Sequence, residues 1–166
     1  MIKLVASFAV VLVIVCMSAG YCIDVPTENA AVNVNVAMGP ISTLSVDNPS
    51  MTLEINTAIA GEQPSPATSS FMYNITNNEA GKKLVGQLDA AAPSGLTIKG
   101  YSFVPPGSGG TQCGWVTLSD VPRDMVTNLG PVCAKNVPLM IELSGSVAAG
   151  VQSGSTTFTM TLTSSQ

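Results

Sequence analysis

Alternating apolar and polar side chains organise most of this chain. Near the N-terminus, one face of an extended segment would be entirely apolar, formed by Val32, Val34, Val36 and Met38. Successive side chains of a β-strand point to opposite faces, so this period of two predicts a half-buried strand. The pattern leaves two pairings open. The strand either completes the fold of its own chain or pairs with a neighbouring molecule.

The same period recurs further along the chain in short stretches separated by Gly, Pro, Asn and Asp. The predicted strands cover residues 41–46, 51–55, 71–76, 82–89, 96–104, 113–118, 137–143 and 157–163. No helical period persists over ten residues beyond the N-terminal segment. About seven to ten short strands with turn residues between them predict an all-β fold, an antiparallel β-sandwich over residues 41–166.

Several stretches leave their local structure open. Gly86 predicts a bulge or a close approach of two backbones. In segment 96–104, Leu96 and Ile98 fall on one face but Tyr101 and Phe103 on the other. This change of apolar phase at Gly100 predicts a bulge. The Pro/Gly/Ser segment 105–110 is expected to be a mobile loop and a candidate contact site. Residues 119–130 fit a helical turn as well as a strand, with Met125, Val126 and Leu129 as candidate core residues.

The first twenty residues have the layout of a secretory signal peptide. Lys3 is followed by an apolar run and then by small residues ending at Gly20. The run is shorter than the roughly 20 residues that span a bilayer, which favours a cleaved signal over a membrane anchor. We therefore expect a signal peptide at 1–20, an N-terminal extension at 21–40, and export to the cell surface or medium, with no membrane span after cleavage.

Export would place the cysteines in an oxidising compartment. Cys16 lies within the signal and Cys22 at its edge, which leaves Cys113 and Cys133 as the natural disulfide pair. Closing a loop of about 20 residues contributes about 3 kcal/mol in the chain-entropy model. Metal binding is disfavoured because the chain has no histidine and no C-x-x-C spacing.

Composition argues against several classes of function. The chain has a formal net charge of −4, and 10% of its residues are charged. Nucleic acids and anionic membranes require basic patches, so neither is an expected partner. Without histidine the usual acid–base and triad chemistry is missing, so we expect no catalytic site, cofactor or metal. A low charge with 46% hydrophobic residues instead suits a protein whose surface is partly apolar or is covered by copies of itself.

Two side-chain groups are candidates for recognition. Tyr73, Tyr101 and Trp115 could form a platform for a sugar, although aromatic residues on strands are more often in the core. Tyr101 and Trp115 are the candidate ligand face. Asn74 begins an Asn-Ile-Thr sequon, whose modification depends on the source of the chain.

The chain resembles secreted subunits of bacterial fimbriae, most closely the alpha-fimbrial colonisation-factor type and more loosely the spore-coat-U-like pilus proteins. The resemblance rests on the signal peptide, the alternating extension 31–38, the Thr/Ser/Asn-rich β body, the turn and strand at 77–85, and the closing segment 154–163. It implies an Ig-like sandwich, donor-strand assembly through Val32, Val34, Val36 and Met38, and a role in adhesion or as a surface filament.

Two functions therefore stand as hypotheses. In the first, the chain is a non-catalytic subunit that forms homopolymers, or polymers with related subunits, by strand donation. In the second, it is a monomeric secreted module that binds a host or surface glycan, or a protein, near Tyr101 and Trp115.

Overall fold

The computed structural model describes residues 34–48 and 50–165. The chain divides into two units, Met1–Ala37 and Met38–Gln166. The predicted signal peptide and Val32 lie outside the described residues. Within the described part, the second unit contains nine strands and one 3₁₀ turn: β1 (Ser42–Val46), β2 (Ala67–Asn77), β3 (Lys82–Leu88), β4 (Leu96–Ser102), β5 (Thr111–Gln112), β6 (Val116–Thr117), β7 (Arg123–Leu129), β8 (Val132–Gly145), η1 (Val147–Ala149) and β9 (Phe158–Ser164).

The strands form two antiparallel sheets, which confirms the predicted β-sandwich. The five-stranded sheet has the order β1-β2-β8-β4-β6, and the four-stranded sheet has the order β5-β7-β3-β9. The alternation that predicted β2 is the one that the fold uses, because Phe71, Tyr73 and Ile75 are buried between the sheets. Each such side chain, fully buried, contributes about 1.5–3 kcal/mol to the free energy of unfolding.

The strand order follows that of an immunoglobulin domain. There one sheet has the order A-B-E-D, and strand C of the other sheet pairs with F, which pairs with G. Here β1, β2, β8 and β4 take the A-B-E-D positions, while β3 and β9 take those of C and F. Among the described residues no strand occupies the position of G beside β9.

Residues 119–130 are largely a strand, β7, whose pairing with β3 has an irregular register. Leu84 pairs with Val126 and the next residue of β3 pairs with Asp124, so Met125 is an extra residue. Met125 and Val126 are consequently both buried although they are consecutive. A second shift lies near Asn128, whose φ is 56°. These two irregularities break the period of two and explain why the sequence pattern was ambiguous.

The bulge predicted at Gly100 is wrong, because β4 pairs with β8 in continuous register from Leu96 to Ser102. Gly100 instead marks a close approach. A Cβ there would lie 2.7 Å from Met125 Cε, and one at Gly86 of the other sheet would lie 2.6 Å from Met125 Sδ. The Met125 side chain thus fills the space left by two glycines that face each other across the core.

Candidate functional site

The long edge of the four-stranded sheet is formed by β9. In the described part of the chain this strand pairs with β3 alone, from Lys82–Ser164 to Leu88–Phe158. Its inward side chains Phe158, Met160 and Leu162 contact the core but remain only half-buried. The inward residues of interior strands, such as Leu84 and Leu139, are fully buried. The core is therefore incompletely covered along β9.

Residues 51–55 contribute a second incompletely covered stretch. The chain leaves β2 after Asp47 N–H donates to the Met72 carbonyl, 3.0 Å away. Met51, Leu53 and Ile55 are then half-buried while the residues between them are exposed. Met51 and Leu53 pack against the core, so the alternation predicted from the sequence is present. The predicted strand is not formed, because no neighbouring strand pairs with residues 51–55 in the described structure.

The edge strand β1 of one sheet and the edge strand β9 of the other lie on the same side of the sandwich. These two strands approach within 8 Å between Cα atoms. Phe158 of β9 lies against Phe71 of β2, with ring centroids 6.1 Å apart. The opposite edges are formed by β5 and β6, which are only two residues long. We refer to β9 together with residues 51–55 as the open seam.

Within the open seam, strand β9 lacks the features that protect edge strands. In natural proteins, charges, prolines or bulges on an edge strand prevent it from pairing with other chains. In contrast, β9 has Thr159, Thr161 and Thr163 on its exposed face and pairs with β3 in unbroken register. Its beginning is fixed by Asp89, whose Oδ1 accepts hydrogen bonds from Thr156 Oγ1 at 2.6 Å and Thr157 N–H at 2.9 Å. The first of these bonds is the main cause that lowers the pKa of the Asp89 carboxyl.

The predicted donor residues that the structure describes are exposed. Val34, Val36 and Met38 have exposed fractions of 75%, 88% and 76%, and they lie outside the strands. Just after them, Asn78 holds the chain: its side chain donates to the Gly39 carbonyl at 2.8 Å and accepts from Ile41 N–H at 2.7 Å. The exposed apolar segment is therefore followed directly by backbone that the Asn78 side chain holds in place at the start of β1.

The predicted disulfide is not formed in the structure, where Cys113 and Cys133 are free and exposed. Cys133 lies on β8 opposite Thr76, in the five-stranded sheet. Cys113 follows β5 in the other sheet, where its N–H donates to the Met125 carbonyl at 3.0 Å. Burial, and then the Asp124 carboxylate, raise the pKa of the Cys113 thiol. The spacing of the pair in sequence was a poor guide because each cysteine is on a different sheet and both side chains are exposed, so neither enters the core between the sheets where a bridge could form.

The structure brings two of the three candidate aromatic residues together. The rings of Tyr101 and Trp115 lie 5.2 Å apart between centroids, and Trp115 is 43% exposed. Tyr73 instead is a core residue with no exposed surface. Sequence reasoning missed Phe103, whose ring lies 5.1 Å from that of Tyr101. The change of apolar phase after Gly100 was the signal for it.

The segment 105–110 is a closed turn with internal hydrogen bonds, unlike the mobile loop that was expected. The Ser108 hydroxyl donates to the Pro105 carbonyl at 2.7 Å, and the Ser108 carbonyl accepts from Gly130 N–H at 2.8 Å. Ser108 is buried. These contacts attach the turn to the residue that follows β7.

Asn74 of the sequon is part of the framework that joins β1, β2 and β8. Its Nδ2 donates to Asp47 Oδ1 at 2.6 Å, and its Oδ1 accepts from Asn136 N–H at 2.9 Å. Asn136 has a φ of 55°, at the irregularity where β8 passes Asn74. The side chain thus stabilises a left-handed residue in a bulge.

Replacing Asn74 with Ala should lower the free energy of unfolding by about 1 kcal/mol, because two hydrogen bonds at the bulge are lost. Urea unfolding followed by circular dichroism measures the change. Thr76→Val is the matched control: it removes the same sequon, keeps the β-branched shape and both Asn74 contacts, and loses only the weak contact of the hydroxyl with Cys133 Sγ at 3.8 Å, so it should alter stability by less than about 0.5 kcal/mol. Equal losses in the two variants would contradict the framework role of Asn74.

The part of the chain that the structure describes contains no helix with the length and hydropathy of a transmembrane segment. Comparison of the sequence with protein-family models and with curated proteins finds no match.

Proposed function

We propose that the chain is an exported, non-catalytic subunit of a surface filament, and that it assembles by β-strand donation. The donated strand is the segment that contains Val32, Val34, Val36 and Met38. The acceptor is the open seam of another copy or of a related subunit. The filament would act at the cell surface, in adhesion or as a structural layer.

The observation that carries the proposal is the half-burial of Phe158, Met160 and Leu162 along β9, which pairs with β3 on one side and has a free edge on the other. A strand added beside β9 would pair with its free backbone groups and would take the position of strand G. Its alternate side chains would cover the apolar residues of the open seam. The donor segment has that alternation, and its described apolar residues are exposed.

The expected energetics also support the proposal. Burying a Val or Met side chain fully contributes about 1.5–3 kcal/mol, so the four donor residues together offer roughly 6–12 kcal/mol before the cost of ordering the segment. Pairing would also remove a neutral edge that otherwise promotes aggregation. This free energy is gained only when the donor segment, whose described residues are exposed, covers the half-buried residues of the open seam.

Size-exclusion chromatography with light scattering tests the proposal on the secreted protein. The full chain should form polymers, and a chain lacking residues 23–38 should be a soluble monomer because it retains the open seam but has nothing to donate. A synthetic peptide of residues 31–38 should bind this shortened chain and raise its melting temperature.

The matched control is the same peptide with Val34 and Val36 replaced by Asn, which should not bind. A full chain that remains monomeric while the shortened chain unfolds or aggregates would overturn the proposal. In that case the segment would complete its own sandwich, and the monomeric binding module would be the better hypothesis.

A further inference from the structure

Three aromatic side chains form a contiguous cluster on the outer face of the five-stranded sheet. Tyr101 is at its centre, with ring centroids 5.1 Å from Phe103 and 5.2 Å from Trp115. Phe103 is 40% exposed and Trp115 is 43% exposed. We call these three residues the aromatic platform.

The platform has no role in the core. Along β4 the inward positions are Gly100 and Ser102, both buried, so Tyr101 between them points outward. Ser102 Oγ lies 3.1 Å from the hydroxyl of the core residue Tyr73. The apolar phase of β4 therefore switches from the inner to the outer face after Gly100. A cluster of aromatic side chains on the exposed face of a sheet is a candidate binding surface.

The central ring of the platform, Tyr101, is held by hydrogen bonds. The Tyr101 hydroxyl donates to Gln112 Oε1 at 3.0 Å, and Gln112 Nε2 donates to the Ser102 carbonyl at 2.7 Å. Tyr101 also lies opposite Met140 in the register of β4 and β8. Phe103 and Trp115 thus pack against a ring whose position is fixed, which reduces the entropic cost of ordering the site on binding.

The exposed area favours a small ligand over a protein. Aromatic side chains present about 150–250 Å² each, so three partly exposed rings offer on the order of 250 Å². A standard protein interface needs about 800 Å² on each partner. The platform is therefore too small to hold a second protein by itself, and its size suits one or two sugar rings.

The surroundings of the platform indicate the chemistry of that ligand. Lys99 and Glu142 lie on the same outer face, two positions from Tyr101 and Met140, with Lys99 Nζ 3.6 Å from Glu142 Oε1. Thr117 lies opposite Lys99 on β6. These groups can donate to and accept from hydroxyls, and their charges compensate each other. A pyranose ring matches this arrangement because it has an apolar face of C–H groups and hydroxyls at its edge.

The three rings are not coplanar, because the plane of Tyr101 makes angles of 76° with Phe103 and 46° with Trp115. We infer that the outer face of the five-stranded sheet binds neutral oligosaccharides, with sugar rings stacked on the two exposed rings, Phe103 and Trp115. The site is separate from the open seam, so binding does not depend on strand donation.

Fluorescence titration of the full chain tests this inference directly, because Trp115 is the only tryptophan in the sequence. The probes are cellotetraose, mannotetraose, chitotetraose and galactotetraose at millimolar concentrations. At least one should produce a saturable change in tryptophan emission, with a matching heat in isothermal titration calorimetry. No saturable response to any of the four would overturn the inference.

Variants then locate the site. Trp115→Ala and Phe103→Ala should each weaken the calorimetric affinity at least tenfold while keeping the wild-type circular dichroism spectrum. Val147→Ala is the control, since Val147 is an exposed apolar residue in η1 outside the platform, and it should bind as the wild type does. An unchanged affinity in both platform variants would overturn the inference. So would iodide quenching of Trp115 that falls as protein concentration rises, because copies of the chain would then cover this face.

Discussion

Replacing Val36 with Lys should abolish polymer formation and leave a folded monomer. In strand donation Val36 would enter the open seam, where the inward side chains of β9 are Phe158, Met160 and Leu162. A lysine buried there would have no carboxylate from β9 to pair with, and burying an unpaired charge is costly. We expect the affinity between subunits to fall at least 100-fold, which corresponds to about 2.7 kcal/mol. Analytical ultracentrifugation across a range of concentrations measures this affinity.

Asn35→Lys is the matched control for this prediction. Asn35 is adjacent to Val36 but would face away from the seam, because neighbouring side chains of a strand point to opposite faces. The same positive charge should therefore leave assembly nearly unchanged. The expected contrast would be contradicted if both variants assembled like the wild type, or if both failed equally. Since Val36 is 88% exposed in the described chain, its replacement should not disturb the fold of the sandwich itself.

Side-chain periodicity predicted the strands in which the alternation of inward and outward side chains is unbroken over the predicted segment. For β2, β8 and β9 the alternating apolar residues in the sequence are those that face the core. Periodicity reports only which side chains turn inward, and it does not report whether a neighbouring strand is available. Residues 51–55 illustrate the difference, since they alternate in burial but have no pairing strand in the described structure. The open seam could therefore be recognised only once the order of the sheets was known.

Other features depended on contacts between distant parts of the chain. The bulge at Met125 places two consecutive apolar residues in the core, so β7 lost the pattern that would have predicted it. The change of phase at Gly100 is explained by the Met125 side chain filling the space above the glycine, and by aromatic residues on the opposite face. Local sequence contains the change of phase but not its cause, because Met125 belongs to the other sheet.

The fold should lose stability in strong alkali through a single core tyrosine. The Tyr73 hydroxyl donates to the Phe103 carbonyl at 2.9 Å and is enclosed between the sheets. Burial raises the pKa of Tyr73 from 10.0 to about 12, and the hydrogen bond with Ser102 opposes this rise only in part. Between those two pH values the unfolded chain releases the phenolic proton while the folded chain retains it. Deprotonation therefore favours unfolding, and the stabilising effect of the neutral phenol is complete below pH 10 and lost by about pH 12.

The expected loss is about 2–3 kcal/mol in the free energy of unfolding, since each pKa unit corresponds to about 1.36 kcal/mol. Urea unfolding at a series of pH values from 9 to about 12 measures it, and Tyr73→Phe supplies the control. The variant should be less stable at pH 8 by about 1 kcal/mol because it lacks the buried hydrogen bonds. Its stability should decline less steeply above pH 10, because only the wild type has the Tyr73 phenol and every other titratable group is common to the two proteins. Parallel pH profiles for the two proteins would show that Tyr73 does not determine the alkaline limit, and the decline would then belong to groups on the surface.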